Sequence, residues 1–406
     1  MTEPRLDLDV ALAAMLDDCR PVTASERVAV ADALGRVAAG SVTAPRSLPP
    51  FPASAMDGYA LRSHDLSGDP PYRLDVAGTS LAGHPFDGTV PGGSAVRLFT
   101  GAPVPDGLDA VVIQEDCDAD GDRVVIRTRV HPGDHVRPVG HDLMAGGQVI
   151  ADGRRLTPFD VGWLTACGLD AVEVRARPRV GLFSTGDELL EPGMPQGPGQ
   201  IYDANRATLR ALLASLPVTI EDFGVVPDDR EAIGRTLAAA RDACDVVVTS
   251  GGVSVGDADW VRDEVERLGT LKFWRLNLKP GKPLAYGRLG DAAFFGLPGN
   301  PVSTIVTALL LLKPVLERLC GAWPSPPLRL PARLTHDLDH APGREEYQRG
   351  TLLRSDGGWQ VETTGDQSSN RLASFAAADC LVRVPKDSGR LPAGTEVETL
   401  PFHGLL

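Results

Sequence analysis

Between Pro178 and Gly321 apolar strand-like runs alternate with helix-like runs, and that alternation limits the fold more than any other feature of the chain. PRVGLFST reads as a strand and NRATLRALLASL as a helix. VTIEDFGVV and DDREAIGRTLAAARDAC repeat the pair, as do DVVVTSGG and DADWVRDEVERLG. LKFWRLNL, PLAYGRL and AAFFGLP add strands. NPVSTIVTALLLL adds a long apolar helix that Pro314 is expected to kink or end. Such alternation predicts a doubly wound, three-layer α/β domain with a parallel sheet covered on both faces. Ligands of these sheets sit beyond the carboxyl ends of the strands.

At 406 residues the chain exceeds one ordinary core, so the α/β domain has neighbours. We expect residues 1–44 and 141–177 to form a discontinuous helical or mixed domain. Its helices are predicted over Leu6–Leu16, over Ser25–Leu34 and in TPFDVGWLTACGL. Residues 45–140 read as an inserted β-rich domain with DADGD as a hairpin tip. The α/β domain takes 178–325, and short strands over 326–406 predict a C-terminal β-barrel-like domain.

The formal charge of −14 disfavours nucleic acid and anionic membranes as generic partners. No apolar run reaches ~18 residues, so nothing is expected to span a membrane. The acidic start lacks the basic, apolar pattern of a signal peptide. The six cysteines, Cys19, Cys117, Cys167, Cys244, Cys320 and Cys380, show no CxxC spacing. Both features fit buried thiols in a cytoplasmic protein.

Three strand-end loops carry the chemistry. They are Ser184-Thr185-Gly186-Asp187-Glu188, the TSGGVSVG run with Ser250, Gly251, Gly252, Ser254 and Gly256, and Leu297-Pro298-Gly299-Asn300-Pro301. TSGGVSVG matches neither GxGxxG nor GxxxxGK[ST]. It is either a plain βα turn or a glycine-lined approach for an oxyanion at a helix start. Lys279-Pro280-Gly281-Lys282 holds two of only five lysines in a chain that otherwise uses arginine. It is either a solvated hairpin turn or a pair of compact cations for phosphate or another oxyanion. Asp228 with Glu231 matches a capping box, and Asp259 suits a helix dipole. The alternative is that these carboxylates, with Glu188, place Mg²⁺ on a phosphate. Ser54-Ala55-Met56-Asp57-Gly58-Tyr59 and Phe99-Thr100-Gly101-Ala102 each read alone as turns. His131, His135 and His141 read as solvated loop histidines.

Taken in order, SAMDGYAL, FTGAPVP, STGDEL, GQIYDAN, TSGGVSVGDADWV, KPGKPLAYG and GLPGNPVS resemble the molybdopterin molybdenumtransferase family, the bacterial MoeA type, similar to the C-terminal part of gephyrin. The resemblance runs over nearly the whole chain. The central domain alone is similar to the pterin-binding domain of the adenylyltransferase that acts one step earlier.

The resemblance implies an enzyme that takes adenylylated molybdopterin, molybdate and Mg²⁺ and releases AMP. It implies a homodimer whose cleft lies between the central domain of one subunit and the inserted domain of the other, supplied by a molybdopterin adenylyltransferase. The family's functional acids fall on Asp57, Asp142, Glu188, Asp228 and Asp259, and its threonine on Thr100. Glu188, Asp228 and Asp259 would hold the cation. Lys279, Lys282 and Arg275 would take oxyanions, and Pro298 and Pro301 match the LPGNP turn. Ser184, Thr185, Gly186, Asp187, Ser250, Gly251, Gly252, Ser254 and Gly256 would line the substrate site. Three positions depart from the pattern: Arg275 where Lys is frequent, His141 where Glu is usual and His135 where Asn is usual. Two other readings stay open, an adenylyltransferase and a non-catalytic scaffold of the gephyrin kind.

Overall fold

A computed structural model describes residues 5–252 and 260–405. The central sheet has six strands: β1 (Arg179–Thr185), β2 (Thr219–Val226), β3 (Val246–Ser250), β4 (Thr270–Arg275), β5 (Pro283–Leu289) and β6 (Ala292–Leu297). Their spatial order is β2-β1-β3-β6-β5-β4. β2, β1, β3 and β6 run parallel, but β5 is antiparallel to both β6 and β4. The all-parallel expectation therefore fails at one strand. Only the tight Gly290 turn, with φ +59°, separates β5 from β6, and a two-strand hairpin must be antiparallel.

The strand sequences follow from burial. Val246, Val247, Val248, Phe294 and Phe295 are all fully buried, because helices cover both faces of the sheet. One apolar cluster lies between the sheet and α1 (Ala204–Leu213) and α4 (Pro301–Thr307), the other under α2 (Arg230–Ala243) and α3 (Trp260–Leu268). Pro314 does not end the last helix. A π-helical turn over Ala308–Leu312 precedes it, and helix resumes over Lys313–Leu319 with the proline in its first turn. There the missing N–H costs least.

Elsewhere, the helix expected over Ser25–Leu34 is instead a strand, Ser25–Ala29, and a 3₁₀ turn, Val30–Asp32. The strand pairs antiparallel with Ala171–Arg175. Its buried partners are supplied from 150 residues away, a tertiary influence that local periodicity cannot carry. The helix in TPFDVGWLTACGL forms over Pro158–Ala166 behind a capping box of Thr157 and Asp160. Residues 58–126 form a six-stranded half-barrel sheet whose hairpin Cys117–Asp120/Arg123–Ile126 turns at Gly121-Asp122. The C-terminal region closes a five-stranded barrel from Leu330–Leu334, Glu345–Ser355, Gly358–Thr363, Cys380–Val384 and Glu396–Pro401. No helix among the described residues is long and apolar enough to cross a membrane.

Candidate active site

A cavity of about 590 Å³ opens where β1, β3 and β6 end. Its wall includes Thr185, Gly186 and Glu188 from the first loop, Ser250, Gly251 and Gly252 from the second, and Pro298, Gly299, Asn300 and Pro301 from the third. Asn205 ties two of these loops together. Its Nδ2 donates to Ser250 Oγ at 2.8 Å and to the Gly299 carbonyl at 2.7 Å. It can do so because Asp203 caps α1 by accepting from the Arg206 N–H, which fixes the first helical turn.

Glycine is needed at the turn after β3. Gly251 has φ +92° and Gly252 φ +63°. A Cβ on Gly251 would lie 2.7 Å from the Thr185 carbonyl, and one on Gly252 would lie 2.4 Å from Val261 Cγ2. The backbone therefore comes close to the cavity, although the Gly251 N–H is already given to the Leu297 carbonyl at 3.2 Å. On the cavity floor the Thr185 hydroxyl is buried without a hydrogen-bond partner, a group a ligand can satisfy. Ser184 lies buried behind it, also without a hydroxyl partner, and does not line the cavity.

The wall is acidic. Glu188, Asp203 and Asp228 line it, and none of its described residues is Lys, Arg or His. Asp203 is neutralised by Arg206 at 3.0 Å, so Glu188 and Asp228 carry the free charge. The Asp228 carboxyl, although solvent-accessible at the rim, is raised above the ordinary aspartate range. Partial burial is the first cause, followed by the charges of Asp187 and Glu188. Asp187 itself accepts the Asp228 N–H at 3.1 Å. The capping role expected of Asp228 belongs to its neighbour. Asp229 is the N-cap of α2 and accepts from the Ala232 N–H at 2.8 Å. That correction frees Asp228 for ligand chemistry.

Other predicted residues lie apart from the cavity. Arg275, Lys279 and Lys282 do not line it. Arg275 is half-buried with Nε lacking a partner, Lys282 is exposed, and Lys279 Nζ lies 2.9 Å from Glu346 Oε1. KPGK lies in the loop that joins the antiparallel strands β4 and β5, as a hairpin turn would, but that loop is also packed against the barrel. Leu278–Lys279 pairs in parallel with Glu345–Glu346 of the barrel, and a Cβ on Gly281 would meet Thr307 Cγ2 at 2.8 Å.

Asp57 and Thr100 do meet each other. The Thr100 N–H and Oγ1 both donate to Asp57 Oδ1 at 2.8 Å, and these bonds, the backbone one first, hold the aspartate below its ordinary pKa. The contact is possible because Ser54 and the FTGA turn exchange backbone bonds, Ser54 N–H to Ala102 and Gly101 N–H to Ser54. Asp142 lines a second concavity of about 540 Å³ with Leu48, Pro49, Gly101, Arg137 and His141. Ser254, Gly256 and Asp259 lie outside the described residues.

Sequence reasoning missed Asn205, Ser303 and Asn370 on the wall. The DAN string after a strand pair was a usable signal for Asn205. Asn370 comes from the C-terminal region, and nothing local announces it. No cysteine lines the cavity: Cys167, Cys244, Cys320 and Cys380 are buried, Cys19 and Cys117 partly so, and burial raises all six thiols, those of Cys320 and Cys380 to about 12.

The sequence matches the MoeA N-terminal region (domain I and II) over residues 6–168. It matches a probable molybdopterin binding domain over 181–318 and the MoeA C-terminal region (domain IV) over 331–402. The chain belongs to the MoeA family. The molybdopterin molybdenumtransferase of Haemophilus influenzae is 39% identical across 99% of this chain and 100% of its own length. Gephyrin of Dictyostelium discoideum is 31% identical across 97% of this chain and 62% of its own. A crystal structure of the molybdopterin biosynthesis MoeA protein from Pyrococcus horikoshii OT3 superposes with a TM-score of 0.85 at 30% identity, covering 98% of this chain and 100% of that one. This MoeA family member thus shares its fold with a MoeA protein of molybdopterin biosynthesis and its sequence, end to end, with a relative named for molybdenum transfer.

Proposed function

We propose that this MoeA family member inserts molybdate into adenylylated molybdopterin, with Mg²⁺-dependent release of AMP. The observation that carries the reading is the acidic cavity at the strand ends. A phosphorylated ligand is repelled by Glu188 and Asp228 unless a hard cation lies between. The donors present are carboxylate oxygens, which suit Mg²⁺, and partial burial together with the charges of Asp187 and Glu188 already raises the Asp228 carboxyl. Glu188 and Asp228, with Asp259, are the residues that would hold the ion. Bound there, Mg²⁺ supplies charge stabilisation on the phosphates. The protein's own groups do the rest. Gly251 and Gly252 let backbone approach the phosphate, the Thr185 hydroxyl donates to it, and Asn205 keeps two loops in register. Lys279, Lys282 and Arg275 take oxyanions, molybdate included, as point or forked charges.

The active form in this reading is a homodimer. In one chain no residue from 45–140 lines the strand-end cavity. Asp57 and Thr100 sit instead among the exposed apolar side chains Phe51, Met56 and Phe99, a surface suited to closing a partner's cleft. We divide the chain into 1–44 with 141–177, 45–140, 178–325 and 326–406. The pairing of Val42–Thr43 with Gln148–Ile150 across the inserted segment supports the first of these. A molybdopterin adenylyltransferase of the same cell would deliver the substrate.

The test is AMP release from adenylylated molybdopterin. It is expected to require both molybdate and Mg²⁺. Efficient adenylylation of molybdopterin from Mg-ATP would convert the reading to an adenylyltransferase. Tight binding of adenylylated molybdopterin with no AMP release under any metal would convert it to a scaffold. Lys279→Gln is expected to raise the molybdate concentration for half-maximal turnover by roughly tenfold while leaving the pterin KM within about twofold, since a point charge on an oxyanion is removed. An unchanged molybdate response takes Lys279 out of the site.

A further inference from the structure

We propose that Glu346, a buried carboxylate of the C-terminal barrel, is a positioning residue that fixes the ammonium of Lys279 for oxyanion binding. The inference rests on the reading of Lys279 as an oxyanion ligand.

Lysine is a flexible cation on a four-carbon stem, and an unrestrained one spreads its charge over many rotamers. Lys279 is not unrestrained. Its Nζ lies 2.9 Å from Glu346 Oε1, and its side chain is 45% exposed where that of Glu346 is 2% exposed. The backbone enforces the same alignment, because Lys279 and Glu346 are register partners in the parallel pairing of Leu278–Lys279 with Glu345–Glu346. The Glu345 N–H adds a bond to the Asn277 carbonyl at 3.0 Å. Two independent constraints therefore hold the lysine to the barrel.

The pairing is unequal. Glu346 Oε2 has no hydrogen-bond partner. Two other cation-capable groups lie near it without bonding it: His340, with Nε2 3.7 Å away and beyond hydrogen-bond range, and the buried Arg349 guanidinium, whose charge Glu346 stabilises. Both His340 ring nitrogens instead face carbonyls, Nδ1 that of Ser388 at 2.9 Å and Nε2 that of Arg344 at 3.0 Å. Glu345, the neighbour, is engaged by Arg383. Among the described residues Lys279 is thus the cation nearest the Glu346 carboxylate, and it keeps donors free. An ammonium has three N–H groups, so its ion pair with Oε1 leaves donors for an exposed oxyanion. A buried carboxylate paired with a half-exposed ammonium acts as a fixed post, and the lysine is the mobile end that it aims.

Steady-state kinetics on the full chain test this. Glu346→Gln, which keeps shape and removes charge, is expected to raise the molybdate KM about tenfold, or ~1.4 kcal/mol, with kcat and the pterin KM within about twofold. Adding Glu346→Gln to Lys279→Gln is expected to produce no further rise, because the carboxylate acts only through the lysine. Glu346→Asp retains charge on a shorter stem and is expected to fall between, which serves if the glutamine variant folds poorly. A molybdate KM unchanged in Glu346→Gln but raised in Lys279→Gln overturns the positioning role alone. An unchanged KM in Lys279→Gln overturns both readings. Additive losses in the double variant, or parallel falls in kcat with a lowered Tm, assign Glu346 to barrel stability and overturn the proposal.

Discussion

Glu188→Ala and Asp228→Ala are each expected to fold normally and to lose roughly a hundredfold or more of molybdate-dependent AMP release, the scale set by removing one preorganised charge-stabilising group from a transition state. Neither side chain supports the core. Both are exposed at the ends of the strands, and Asp228 caps no helix because Asp229 does so. What they contribute is negative charge held where it is unfavourable. The Asp228 carboxyl is raised by partial burial and then by Asp187 and Glu188, so the folded protein binds its proton more tightly than the unfolded chain. The sign follows from linkage. At neutral pH the ionised aspartate costs stability, and the cost disappears as pH falls through the raised value. Asp228→Asn is therefore expected to have a Tm equal to or above that of the parent at pH 7, converging on it in acid, while its activity is lost. Mg²⁺ affinity, read by titration calorimetry, is expected to weaken as pH drops into that range because proton and cation compete. Near-normal turnover in both alanine variants would remove the acidic wall from the mechanism.

The reading of the chain succeeded where local pattern and tertiary demand agree. The valine run of β3 and the Phe-Phe pair of β6 are apolar on both faces because the sheet is covered on both faces, so periodicity alone located the strand ends and hence the cavity. It failed where distant chain decides. Ser25–Ala29 is a strand because Ala171–Arg175 lies beside it, and β5 runs antiparallel because a glycine turn is too short for a crossover. Asp228 and Asp229 differ by one residue, and a capping-box spacing cannot choose between adjacent aspartates. The structure assigns the cap to the second and the cavity to the first. The KPGK string marks Lys279 in the sequence, but its partner Glu346 lies 67 positions later in another fold unit, a pairing visible only in three dimensions.

Arg206→Ala is expected to be the most destabilising single change near the site. The guanidinium is buried and reaches three carboxylates at once, with Nη1 2.7 Å from each oxygen of Asp222. Nε lies 3.0 Å from Asp203 Oδ2, and Nη2 meets Glu191. Asp203 has a side chain only 1% exposed, so truncation of the arginine leaves a buried carboxylate uncompensated, a loss of about 3–5 kcal/mol. At about 2–4 °C per kcal/mol, the Tm is expected to fall by roughly 10 °C.

The pH dependence distinguishes this cause from lost packing. Burial works to raise the Asp222 carboxyl, but hydrogen bonds from Arg206 and the Gly224 N–H outweigh it and hold the group below its ordinary range. A depressed folded pKa contributes stability that is present above the unfolded value and lost as pH falls through the folded one. Removal of Arg206 is therefore expected to flatten the acid limb of a Tm-against-pH curve, and Arg206→Lys to restore it only in part, since one ammonium nitrogen cannot span the three carboxylates that Nε, Nη1 and Nη2 reach. Activity is expected to fall with stability for a second reason. Asp203 also caps the helix from which Asn205 reaches Ser250 and the Gly299 carbonyl, so loosening that turn separates two loops of the cavity. A loss below about 1 kcal/mol, or an unaltered acid limb, would show that Asp203 and Asp222 find other partners and that the arginine is not the post on which the cavity's helix stands.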